Sequence, residues 1–103
     1  PPPPPQDAVD EVCLGIRLTA KSKSTVWGTV VKLVDKDFAQ ISDESLKCEL
    51  ANDNELCVVG RPTATGTGNS RVVLSQSINQ PGCSKFYSGR AIYILQEDFQ
   101  FMP

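Results

Sequence analysis

The sequence predicts an all-β fold: a small, disulfide-stapled β-sandwich of two antiparallel sheets, with six core strands and a C-terminal extension. Three observations predict it. Seven or so short apolar segments recur at roughly ten-residue spacing, divided by polar, Gly- or Pro-bearing turns. Four cysteines, at positions 13, 48, 57 and 83, occur in a chain of only 103 residues, and an even count in a short domain favours two disulfides and an oxidising compartment. A chain of this length is one domain that buries roughly two-thirds of its unfolded surface, so its core is thin and profits from covalent support.

"PPPPPQDAVDE" opens the chain. Five prolines without backbone donors favour a solvated polyproline helix, so residues 1–10 read as a stiff tail. A role as an SH3-type ligand would want a basic flank, and Gln6 and Asp7 stand there instead. "VCLGIRL" alternates, with Val12, Leu14, Ile16 and Leu18 on one face and Cys13, Gly15 and Arg17 on the other. "TAKSKS" is a polar loop. "TVWGTVVKLV" places Trp27, Thr29, Val31 and Leu33 on one face and Val26, Gly28, Val30, Lys32 and Val34 on the other. Valines on both faces predict a strand covered on both sides at one end. Gly28, next to the only Trp, is either a bulge or a thin spot crossed by another side chain. "DKD" turns the chain into "FAQI", which closes a central hairpin.

In "SDESLKCEL" a helix-start signal gives way to alternation of Leu46, Cys48 and Leu50, predicting a turn and then a strand. "ANDNE" is a turn, "LCVVG" a strand and "RPTATGTGNS" a flexible loop. "RVVLSQS" is a strand, "INQPG" a turn, and "KFYSGRAIYIL" a long strand with Gly89 as a bulge. "QEDFQFMP" ends with Phe99 and Phe101 in alternation. The organisation is therefore a tail at 1–10, a sandwich core at 11–77 and a β extension at 78–103 packed on that core.

The chemistry that the sequence permits is narrow. A net charge of −2 and no basic stripe argue against nucleic acid as a partner. No apolar run approaches the ~20 residues needed to cross a bilayer. No cysteine pair has C-x-x-C spacing and there is no His, which disfavours zinc, so no metal or cofactor is expected. Without His, and with its cysteines paired, the chain has no obvious base or nucleophile, and ribonuclease chemistry is disfavoured for the same reason. Asp35, Asp37, Asp43, Glu44, Asp53 and Glu55 read as turn carboxylates that bond local backbone rather than as a glycosidase pair. "ATGTGNS" lacks both the P-loop and the dinucleotide pattern. Tyr87 and Tyr93 share a face by parity if no bulge intervenes, which leaves a lectin-like platform as an alternative. No signal peptide is visible, so the secreted reading takes the chain as a mature form.

An ordered set of features then stands out. A Cys lies on the first strand, "WGTVVKLVDKDFAQI" spans the second and third, and "ELANDNELCVV" carries an acidic turn into a fifth strand. Over roughly residues 10–77 this resembles the MAX effectors, the avirulence and ToxB-like proteins secreted by plant-pathogenic fungi. The resemblance implies a disulfide from the first strand to the start of the fifth, Cys13 to Cys57, leaving Cys48 with Cys83. Residue parity alone puts Cys13 on the face opposite Leu14 and Ile16, whereas a bridge between two sheets should point inward.

The resemblance further implies a monomeric, non-catalytic protein that is secreted, enters the host plant cell and binds host proteins there, including domains integrated into immune receptors. Such proteins bind largely through strand edges, whose unpaired donors and acceptors a partner strand can extend. On this reading the strand from Thr25 to Val34 is the binding edge, and Lys32, Asp35, Lys36 and Asp37 form its charged rim. The alternative is an extracellular lectin-like or inhibitor-like module that uses the "RPTATGTGNS" loop.

Overall fold

A computed structural model describes residues 13–29, 44–66 and 68–102. Seven strands run in the order β1 (Ile16–Ala20), β2 (Ser24–Gly28), β3 (Lys47–Leu50), β4 (Glu55–Ala64), β5 (Ser70–Leu74), β6 (Ala91–Ile94) and β7 (Phe99–Met102). Short 3-10 turns at Glu44–Leu46 and Gln96–Asp98 lead into β3 and β7.

All neighbouring pairs are antiparallel, and the strands form one sheet in the order β3-β2-β6-β5-β4-β1-β7. The reason the ladder runs continuously, rather than dividing into the two sheets expected, is β6. It pairs with β2 through Trp27↔Tyr93 and Gly28↔Ile92 and with β5 through four residue pairs, and so joins two groups of strands. Residues 78–103, read from sequence as an appendage, thus supply a central strand, an outer strand in β7 and the buried Phe86.

Alternation decides which face is buried. Leu18, Ala20, Val26, Cys48, Leu50, Leu56, Val58, Val72, Leu74, Ile92, Ile94 and Phe99 all point to one side, and with Phe86 and Cys83 they form a single core. Every strand contributes to it, so the sheet curls around one interior. The turn between β3 and β4 ties the curl. Asp53 N–H donates to Ala20 O and Ala20 N–H to Asn54 O, both at 2.9 Å, which brings that turn onto the end of β1. Asn54 Oδ1 also accepts from Ala51 N–H and from Gln80 Nε2, each at 2.8 Å. Asn54→Ala should therefore lower the denaturation midpoint by an amount equivalent to about 1–2 kcal/mol, the cost of stranding partners of a lost acceptor. An unchanged midpoint in urea would show that these bonds contribute nothing net.

Several local expectations change. Half of "RPTATGTGNS" is strand: β4 runs to Ala64, with a register shift between Val59 and Thr63 near Gly60 (φ 71°), and β5 begins at Ser70. The long strand expected at "KFYSGRAIYIL" is only Ala91–Ile94. Gly89 is not a bulge. It sits in the turn closed by Arg90 N–H on Tyr87 O at 3.0 Å, and its φ of 92° is the left-handed geometry that a type II turn requires at that position. The third-strand segment "FAQI" lies outside the described residues.

Both disulfides form, Cys13 with Cys57 and Cys48 with Cys83, the pairing that the resemblance implies. Their settings differ. Cys48 and Cys83 lie in the core. Cys57 alternates with the inward Leu56 and Val58, so its bridge to Cys13 runs on the outer face. Cys13 itself precedes β1, so strand parity does not decide its side; the outward position comes from Cys57 within β4.

Candidate binding surface

The residues proposed for the partner rim, Lys32, Asp35, Lys36 and Asp37, lie outside the described residues. The strand that would carry them is described as far as Gly28, and Ser24–Gly28 is not an edge. It lies between β3, which pairs with Ser24–Trp27, and β6, which pairs with Trp27 and Gly28, so the sheet does not end at β2. Among the described residues the sheet ends at β3 and β7.

Trp27 is buried, but on the face opposite the core. Its direct cross-strand neighbours are Lys47 and Tyr93, and beyond Tyr93 come Arg71 and Thr63. One rung across five strands therefore reads Lys47–Trp27–Tyr93–Arg71–Thr63, two aromatics between two cations. Directly opposed side chains on one face are close enough to pack together, which explains why a β2 residue on the outer face is nonetheless covered.

Gly28 is the thin spot rather than the bulge. A side-chain carbon there would meet the Arg90 guanidinium at 3.3 Å and Leu46 at 3.6 Å. Arg90 is half-buried and lies at the rim of the core, with Nη1 donating to Tyr87 Oη at 3.2 Å and its guanidinium 5.5 Å from the Tyr87 ring centre. Tyr87 is exposed and stands in the turn that Gly89 closes, so it does not share a strand face with Tyr93, and the paired-tyrosine platform is not formed. Gly28→Ala should be tolerated within about 1 kcal/mol, because the clash falls on the far end of a flexible side chain. Gly28→Val should displace Arg90, which would appear as a perturbed Tyr87 ring environment in NMR with the fold retained.

One concave surface is a cleft of about 230 Å³ lined by Cys13, Arg17, Glu55, Cys57 and a group of amides, Asn54, Gln76, Asn79 and Gln80. Arg17 and Glu55 form a loose ion pair at 3.8 Å across the β1–β4 ladder, an exposed contact worth little by itself. The cleft is polar and has no His, carboxylate pair or thiolate suited to acid–base or nucleophilic chemistry. Among the described residues no group of three or more His, Cys, Asp or Glu could hold a metal ion. No helix among them is long and apolar enough to cross a membrane.

Sequence reading missed this cleft because its amides come from the β3–β4 turn and from the loop after β5, and no periodicity links them. It missed Arg90 for a different reason. The "YSGR" stretch carries a Tyr-x-Gly turn signal that was absorbed into a strand. Leu14, assigned inward, is 81 % exposed, because β1 begins only at Ile16.

Comparison with known proteins finds no family model, no curated protein and no solved structure that matches the chain.

Proposed function

We propose that this chain is a secreted, non-catalytic recognition protein of the effector type, which enters plant cells and binds host proteins to modulate immunity. The observation that carries the reading is the Cys13–Cys57 bridge. It joins the segment just before the first strand to the strand that opens directly after the acidic turn, within an all-antiparallel sheet, close to the arrangement that the effector resemblance implies. On this reading the strand groups β3-β2-β6 and β5-β4-β1-β7 act as the two layers of a sandwich. Two disulfides in so small a domain fit an extracellular passage.

Recognition by surface rather than by pocket follows from the side chains. The cleft beside Cys13 carries amides, and the large apolar residues exposed among the described ones are few, Leu14, Val59 and Tyr87. Because β2 is internal, partner contact shifts to the edges of the sheet and to the charged segment around Lys32, Asp35, Lys36 and Asp37.

The test is titration of the oxidised chain against small metal-binding-type domains of plant immune receptors and against plant extract proteins. A saturable complex that is weakened at least about tenfold by joint charge reversal of Lys32 and Asp35 is the expected result, a loss of ~1.4 kcal/mol or more. Undiminished affinity in that variant would remove the charged rim from the account. Absence of protein binding together with selective retention on a glycan array would favour the lectin-like alternative.

A further inference from the structure

The two disulfides are chemically unequal. Cys48 and Cys83 are 1 % and 2 % exposed and sit in the core. Cys13 is only half-buried, and both Cys13 and Cys57 line the 230 Å³ cleft. Cys57 is itself 7 % exposed, so access to this bridge is through Cys13. Two features polarise this more accessible bridge. The Ser75 hydroxyl donates to Cys57 Sγ at 2.8 Å. Arg17 is the residue directly opposite Cys57 in the β1–β4 register and lines the same cleft, even though it also pairs loosely with Glu55. A hydrogen-bond donor and a nearby cation both favour a thiolate, and thiol–disulfide exchange is faster when the leaving sulfur is the better-stabilised thiolate.

We propose that the Cys13–Cys57 bridge is a thiol-exchange site for small thiols such as glutathione, with Cys13 as the sulfur that is attacked and becomes thiolated. A thiolate entering the cleft bonds to Cys13 Sγ. The Cys13–Cys57 bond breaks, and its electron pair leaves on Cys57 Sγ, where Ser75 holds it. A second thiolate then attacks the added sulfur, releasing the oxidised small-molecule disulfide and Cys13 as its thiolate. Two small thiols supply the two electrons. The buried Cys48–Cys83 bridge is shielded from the same reaction by the core around it. This inference does not rest on the effector reading, since it concerns access to a bond and not the identity of a partner.

The experiment is graded reduction of the oxidised full chain with reduced glutathione, quenched by alkylation and mapped by peptide mass. Expected are Cys13 and Cys57 becoming alkylatable at least about tenfold sooner than Cys48 and Cys83, and an early glutathione adduct on Cys13 rather than Cys57. Ser75→Ala should slow opening of the Cys13–Cys57 bridge several-fold, and Ser75→Thr, which keeps the hydroxyl, should restore it. Equal rates for the two bridges, or an adduct predominantly on Cys57, would overturn the proposal. The wild-type comparison decides it even if a Ser75 variant does not fold.

Discussion

Replacing Cys48 and Cys83 together by alanine is expected to be the most damaging double substitution in the molecule, lowering stability by about 5–6 kcal/mol. The two positions are 35 residues apart, and closing a loop of that length removes about 4 kcal/mol of unfolded-state entropy in the chain-entropy model. The second contribution is local. Both sulfurs are packed in the core among Val26, Leu50 and Phe86, and deleting a buried group of that size costs on the order of 1 kcal/mol each. A small domain holds only about 5–15 kcal/mol in total, so the variant should be largely unfolded at 37 °C.

The paired control is Cys13→Ala with Cys57→Ala. Its separation of 44 residues gives nearly the same entropic term, but its bridge lies outside the core cluster, and the loss should stay near 4 kcal/mol. Urea denaturation of both variants checks the order. A smaller shift for the Cys48–Cys83 variant would mean that the buried sulfurs are not packed as described.

The second large effect is expected from one methyl group. Gly15→Ala should cost about 3 kcal/mol, although Gly15 is exposed. A Cβ at this position would overlap the Val58 carbonyl oxygen and crowd the Val58 carbonyl carbon. These are backbone atoms of the neighbouring strand, so no rotamer change can relieve the clash. The start of β1 would have to lift away from β4, at the pair Ile16↔Val58 that begins their ladder and next to the Cys13 anchor. The requirement is for space and not for an unusual dihedral. Gly28 makes the contrast, since its nearest obstacle is a mobile guanidinium. Hydrogen exchange should show the Ile16 and Val58 amides deprotected in Gly15→Ala and protected in Gly28→Ala. Wild-type protection in Gly15→Ala would show that β4 can yield.

What could be read beforehand was whatever the chain declares locally. Leu56 and Val58, Val72 and Leu74, and Ile92 and Ile94 alternate with outward residues, and all point into the core. A turn before β3, at Glu44–Leu46, and the acidic turn after β3 were also legible. Strand order was not. Nothing near Ala91–Ile94 announces that this segment will lie between β2 and β5, because sheet pairing is a long-range choice made by the whole assembly. Gly89 was ambiguous in kind: a glycine amid apolar residues marks either a bulge or a turn, and only the bond from Arg90 to Tyr87 distinguishes them. The cleft beside Cys13 was illegible because its walls belong to separate loops. The position of Cys57 on the outer face, by contrast, was implicit in simple alternation and conflicted only with the assumption of two facing sheets.

The central place of β6 has a consequence for biosynthesis. Trp27 pairs early with Lys47 but gains its second cross-strand neighbour only when Tyr93 is available, and β5 likewise gains its second partner only from that segment. A nascent chain leaving the ribosome can pair β2 with β3 but leaves the β6 side of β2 open until much later, and such distant pairings fold slowly. Until residues 99–102 have also emerged, the polypeptide has no finished sheet to resist mechanical pulling.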